Sequence, residues 1–422
     1  MLKSSIQSCS RASRFCGQDV LRPQHRTFSA SHVLHAKLKI GDRVLLRWIQ
    51  GKKDHRKLTG PLRQDGETTV ENHRIKHKHL IDQESDSRLV STSKDGLKKL
   101  SITARHPTFD EFTTLAPRRV APIYSSYCDT IVSLLDIHGH VSPSGPTDDA
   151  SRPELQILEA GTGHGSLTLA LARAVATANP PVSDAIKPEI SSRTIYKAGE
   201  ETGDISTTES AELVEWRKQR QAIVHTVDID PLNRQHADSL IRSFRNAMYW
   251  PHVEFYAGDV KNWIKEKMTY PKDERFLDIV ILDMPGVEEY IESVVDAVKN
   301  RGQLLVFVPQ ITQIATCVQE IVTKRLNLKL ERVVELGDGI STGRVWDVRM
   351  ANLKHSRVAT FAKEPLETVS EQASSTEIPP RVGTIPPMVC RPIVGEVTRG
   401  GGFIGLWKRI DSEADNPILI KQ

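Results

Sequence analysis

Residues 157–168 read Ile-Leu-Glu-Ala-Gly-Thr-Gly-His-Gly-Ser-Leu-Thr, an acid and three alternating glycines placed directly after an apolar run. A strand ending at Leu158 and Glu159 would hand over to a tight loop carrying Gly161, Gly163 and Gly165, and a helix would open at Ser166. A Cβ in that loop would obstruct a ligand approaching the backbone. The helix N-terminus adds free N–H groups. A dinucleotide fingerprint wants a sixth-position glycine where Ser166 stands, which disfavours a nicotinamide dehydrogenase. Three more acids follow apolar runs: Asp228 after "AIVHTV", Asp259 after "VEFYAG" and Asp283 after "FLDIVIL". At the carboxyl ends of parallel strands, these acids would line one crevice.

Each position suits a part of S-adenosylmethionine. Glu159 can recognise the amino-acid ammonium, directly or through water. Asp228 can accept from both ribose hydroxyls, while Asp230 caps the helix that begins at Pro231. Asp259 can accept from the adenine amino group or, alternatively, cap the next helix. Asp283 would face the transferred methyl group; the other reading is a cap for a helix starting near Pro285. No metal is expected. Cys9, Cys16, Cys128, Cys317 and Cys390 form no CxxC pair, and no His cluster stands near them.

The elements that must hold these residues form an α/β domain. Five apolar runs, "ELQILEAG", "AIVHTVDID", "VEFYAGD", "FLDIVILDM" and "QLLVFVP", read as buried parallel strands. Helical patterns cover 166–176, 231–247, 287–300 and 311–326. The alternation predicts βαβ units with right-handed crossovers. Upstream, "KIGDRVLLRW", "RIKHKHLID" and "SRLVSTSKDG" read as short strands of a small β-barrel or sheet. Downstream, "RPIVGEVTRGGGFIGLWKRI" reads as a hairpin around a Gly-rich turn that completes the sheet. The expected division is a leader at 1–35, a β domain at 36–112 and a catalytic domain at 113–351 with a polar insert at 180–221. A disordered insert at 352–388 and the closing hairpin at 389–422 follow.

Charge adds a partner class. The first 120 residues carry 24 Lys/Arg against 12 Asp/Glu, a net of +12 in a chain whose total is +4. A basic β domain suits a polyanion, nucleic acid above all. The leader is rich in Arg and Ser and nearly free of acids, with Arg26-Thr27-Phe28-Ser29 like a processing site. It reads as a mitochondrial transit peptide, which predicts the matrix. No apolar run approaches the ~18 residues of a membrane span.

Together these residues resemble the tRNA (adenine-58-N1) methyltransferases, in particular the catalytic subunit and its mitochondrial form. "LEAGTGHGSLT" is very close to that family's "LEAGTGSGSLT". The resemblance extends through "GDRVLL", "HRIKHKHLID", "PTFDEF", "APRRVAPIYSSY", "LDMP" and the closing "RPIVGEVTRGGGFIGLWKRI". It implies a class I methyltransferase Rossmann-like sheet preceded by a small β-barrel. It also implies methylation of N1 of adenine 58 in the tRNA T-loop. The implied assembly is a homotetramer or a mixed complex with a non-catalytic paralogue. By the same resemblance His164, Gly165, Ser166, Leu167, Asp228, Asn233, Asp259 and Val260 line the cofactor, and Asp283 is the catalytic carboxylate. Arg118 and Arg119 could hold the phosphate backbone together with the β domain.

This chain departs from the family at Ala121, at Tyr124-Ser125-Ser126-Tyr127, near Val287 and at Gly400-Gly401-Gly402-Phe403. Two rival functions remain. One is an isoaspartyl-type protein methyltransferase, which the basic β domain disfavours. The other is a non-catalytic RNA-binding subunit, which the intact glycines and acids disfavour.

Overall fold

The computed structural model describes residues 36–51, 53–93, 96–137, 153–183, 185–192, 210–268, 275–337, 346–350, 388–392 and 401–410. The expected leader, the centre of the 180–221 insert and nearly all of 352–388 lie outside the described residues.

The upstream domain is built from β1 (Leu45–Gln50), β2 (Lys53–Leu58), β3 (Glu67–Val70), β4 (His73–Lys76), β5 (Ser87–Thr92) and β6 (Lys99–Arg105). It is not the barrel that the sequence suggests. β2, β1, β6 and β5 form a four-stranded antiparallel sheet in that order, and β3–β4 stands beside it as a separate pair. The reason lies in β2, which carries Lys53, Asp54, His55, Arg56 and Lys57 and has no buried residue. Such a charged edge does not seek a further strand. Leu38, Leu46, Trp48, Leu62, Val70, Leu80 and Ile102 form the core of this domain.

Two short helices, α1 (Phe109–Leu115) and α2 (Ser125–Leu134), lead into the second domain. A capping box fixes the start of α1: the Thr108 hydroxyl accepts from the Glu111 amide, and the Glu111 carboxylate accepts from the Thr108 amide.

The second domain contains β7 (Leu155–Ala160), β8 (Ala222–Asp228), β9 (Val253–Ala257), β10 (Leu277–Leu282), β11 (Val298–Val308), β12 (Leu328–Leu336) and β15 (Gly402–Arg409). They form one seven-stranded sheet in the order β12-β15-β11-β10-β7-β8-β9. The five expected strands are all present and parallel to their neighbours within the run β11 to β9. The crossover helices are α3 (Ser166–Val175), α4 (Lys187–Ser192), α5 (Ala211–Lys218), α6 (Pro231–Arg242), α7 (Val260–Met268) and α8 (Ile291–Ala297). α9 (Ile311–Thr323) follows β11. The helix expected over 287–300 is shorter: a 3-10 turn at Val287–Tyr290 leads to α8, and residue 298 already belongs to β11.

The closing hairpin is also corrected. Met388–Pro392 (β14) pairs not with β15 but with Trp346–Met350 (β13), as a separate two-stranded sheet. β15 instead runs antiparallel between β11 and β12. β15 belongs there because it is buried along most of its length, whereas β12 is exposed on both faces and suits an edge.

Two apolar layers hold the sheet. Leu158, Val280, Leu282, Trp263, Val294 and Ile314 pack on one face. Ile157, Leu171, Val224, Ile281, Leu305 and Cys128 pack on the other. β8 is buried at all seven positions, so it is a central strand whose end has little room to move.

Candidate active site

The strand order reverses beside β7, since β8 lies on one side of it and β10 on the other. Crevices for ligands form at such switch points, beyond the carboxyl ends of the strands. Backbone bonds lace these ends together. Gly161 N–H donates to the Val227 carbonyl at 2.8 Å, Asp283 N–H to Ala160 at 2.9 Å and Gly258 N–H to Asp228 at 2.9 Å.

Gly161 is required by this lacing. Its φ is +95°, and a Cβ there would lie 1.9 Å from the Asp283 carbonyl oxygen. The glycine therefore admits the protein's own backbone at the switch point. Gly165, at φ +86°, is the N-cap of α3, and a Cβ would meet that of Ala237 on α6 at 2.8 Å. Gly163, at φ +52°, is roofed by Val120.

Asp228 sits at the end of β8, nearly buried. Its Oδ2 accepts from Gly163 N–H at 2.8 Å, and its Oδ1 from Asp230 N–H at 2.9 Å and the Asn233 amide at 3.4 Å. Asp230 caps α6 through Leu232 N–H at 2.9 Å, the division of labour expected for these two acids.

Glu159 is buried beneath the loop. Its Oε2 accepts from the hydroxyls of Thr168 at 2.5 Å and Thr226 at 2.8 Å, and Thr226 in turn stands 2.7 Å from the Thr162 hydroxyl. Burial pushes its carboxyl up to about 8 despite those hydroxyls, and the Asp283 and Asp228 charges add to the rise.

Asp283 follows β10 and is half-buried. Among the described residues nothing hydrogen-bonds to its carboxylate. Burial, with the Asp228 charge behind it, pushes it up to about 7. It caps no helix: the 3-10 turn that follows takes Gly286 as its N-cap, with no side-chain bond. A strand-end carboxylate at the switch point, unpaired and costly to ionise, is a site for a cationic or hydrogen-donating ligand.

The remaining sequence candidates are placed differently. Asp259 Oδ1 caps α7 by accepting from Lys261 N–H at 2.7 Å and Asn262 N–H at 3.3 Å, and its Oδ2 accepts from Tyr290 at 3.4 Å. Val260 and Leu167 are buried in the core. Ser166 donates its hydroxyl to the Ile123 carbonyl at 2.8 Å. His164 is buried with its ring 5.6 Å from that of His236, and burial lowers its pKa to about 4, so it is neutral. The structure thus gathers Gly161, Gly163, Asp228, Asn233 and Asp283 at the strand ends, with Leu167 in the core beside them and both ring nitrogens of the buried His164 without a hydrogen-bond partner among the described residues. Sequence reasoning missed the Thr162–Thr226–Glu159–Thr168 network. Thr226 could have been found, because it stands two residues before Asp228 in the same strand and so shares its face.

No family model matches the chain. Two curated proteins, the tRNA (adenine(58)-N(1))-methyltransferases TrmI of two Thermus thermophilus strains, are each 24% identical over 249 residues, 59% of this chain and 69% of the relative. Among solved structures, a SAM-dependent O-methyltransferase from Thermotoga maritima matches with a TM-score of 0.50 and 14% identity. That match covers 89% of this chain and 95% of the other. The tRNA (m1A58) methyltransferase TrmI from Aquifex aeolicus gives 0.48 and 13%, covering 89% and 100%. The chain has the class I S-adenosylmethionine-dependent methyltransferase fold, and in sequence it is similar to tRNA (adenine-58-N1) methyltransferases.

Proposed function

We propose that this protein is an S-adenosylmethionine-dependent methyltransferase that modifies N1 of adenine 58 in the T-loop of mitochondrial tRNA. The observation that carries the reading is the unpartnered Asp283 carboxylate at the switch point, with Asp228 and Glu159 behind it. Two carboxylates that are costly to ionise, with a third beside them, favour a ligand with net positive charge. S-adenosylmethionine has that charge; a dinucleotide pyrophosphate would add to the repulsion. Asp228 and Asn233 would hold the ribose, Gly161 and Gly163 the backbone side, and Glu159 the ammonium end. The bound cofactor supplies an electrophilic methyl group on a sulfonium.

The residues of this chain act on the acceptor. Adenine N1 is a weak nucleophile whose lone pair normally accepts in base pairing, so the base must leave its stack. Asp283 accepts a hydrogen bond from the N6 amino group and orients the ring. Methylation leaves the adenine cationic, and the fixed carboxylate stabilises charge that grows only in the transition state. The basic upstream domain, with Lys53, Arg56 and Lys57 on an exposed strand, supplies the phosphate contacts.

The test is methylation of a tRNA transcript by the purified protein, with nucleosides read by mass spectrometry. 1-Methyladenosine mapped to position 58 is expected. Its absence, or methylation of an isoaspartyl peptide instead, overturns the reading. We further infer matrix localisation and a homotetramer, with a mixed complex the alternative assembly. Fusing residues before about Ser31 to a fluorescent reporter tests the first, and a cytosolic signal refutes it. Light scattering tests the second, and a monomer refutes it.

A further inference from the structure

Residues 117–123 connect α1 to α2 without regular structure, and Pro117 and Pro122 restrict the backbone at both ends. The segment lies over the glycine loop. Val120 roofs Gly163, and the Ile123 carbonyl accepts the Ser166 hydroxyl. Just before these contacts Arg119 reaches the first turn of α6. Its Nε donates to Asn233 Oδ1 at 2.8 Å and its Nη2 to Asp230 Oδ2 at 2.7 Å. The guanidinium is thus committed to two side chains rather than free for phosphate.

We infer that Arg119 is a positioning residue for cofactor binding, acting on Asp228 through Asn233. A guanidinium can only donate, so it fixes which end of the Asn233 amide faces it. The Oδ1 end is taken, and Nδ2 must point the other way, toward Asp228 Oδ1 at 3.4 Å. Asp228 is then held from three sides, by Gly163, Asp230 and Asn233. Without Arg119 the amide loses one of its two anchors, and its bond to Asp228 Oδ1, already long at 3.4 Å, is held less firmly. The Arg119 pair also keeps Asp230 below the usual carboxylate range.

The inference rests on the proposed cofactor, so the wild-type protein is first titrated calorimetrically with S-adenosylmethionine. No binding there overturns the cofactor reading itself. If it binds, Arg119→Ala should weaken binding by about 5- to 10-fold and raise KM for the cofactor. kcat at saturation and tRNA affinity should stay within about twofold. Arg119→Lys should recover only part of the loss, because an ammonium lacks the planar fork that fixes both partners at set angles. Asn233→Ala should cost nearly as much as Arg119→Ala, and the double variant little more than either. Cofactor affinity unchanged in a folded Arg119→Ala variant overturns the inference. So does a tRNA affinity that falls while the salt dependence flattens by about one counterion, which would make Arg119 a phosphate contact.

Discussion

Replacing Asp283 by Asn keeps the shape of the side chain and one acceptor oxygen but removes its charge. The carboxylate stands at about 7 instead of 3.8 because burial and Asp228 penalise ionisation. At ~1.4 kcal/mol per tenfold, that gap corresponds to about 4 kcal/mol of unrelieved electrostatic cost. A cationic transition state placed against the carboxylate recovers part of it. Asp283 is half-buried, and solvent screens the remainder, so about 3 kcal/mol is a reasonable share. The single-turnover rate of tRNA methylation, with both ligands saturating, should therefore fall by about two powers of ten. Stability should not fall, since the carboxylate makes no hydrogen bond that the amide would lose. In the wild type the rate should climb as Asp283 ionises, and in Asp283→Asn that limb of the pH profile should vanish. A near-wild-type rate in the folded variant refutes the argument. So would a wild-type profile flat from acid pH to about 8.

Three other perturbations follow from the same geometry. Asp228→Ala should weaken S-adenosylmethionine binding by about 1.5–3 kcal/mol in calorimetry, and unchanged affinity would move the ribose contact elsewhere. Gly161→Ala places a Cβ 1.9 Å from the Asp283 carbonyl oxygen at φ +95° and should cost at least about 3 kcal/mol in denaturant unfolding. A cost under about 1 kcal/mol would contradict the packing at the switch point. Glu159 and Asp283 bind protons more tightly when folded, about 8 against 4.5 and about 7 against 3.8. Their penalty is absent below about pH 4, grows with pH and is complete above about pH 8, so they lower the melting temperature across that window. Glu159→Gln should flatten this fall, and an unaltered slope would refute the assignment.

What was legible in the sequence was the set of strand ends. β7, β8 and β10 are apolar runs long enough to be buried, and each ends on or beside an acid or glycine, so position and outgoing residue could be read together. β12 was not legible: "LKLERVVEL" is exposed along most of its length and carries no burial pattern. The pairing of β15 was hidden for another reason. The Gly-rich turn before it suggests a local hairpin, while its partners β11 and β12 lie far upstream. Local turn chemistry says nothing about so distant a register. The role of Asp259 was left open between cap and ligand, because both uses ask for an acid at the same place. Only its bonds to Lys261 and Asn262 N–H identify the cap.

The late position of β15 also governs how the chain can become native. β11 and β12 flank a slot that only residues 402–409 fill. Until that stretch has been made, both strands present unpaired backbone edges to their surroundings. Such edges are templates for wrong partners, and closing them requires a long loop to find its place. A nascent chain therefore carries the strand ends of its crevice, β7 to β10, before its sheet can close. Fragments that stop short of β15 should aggregate rather than accumulate as smaller folded forms.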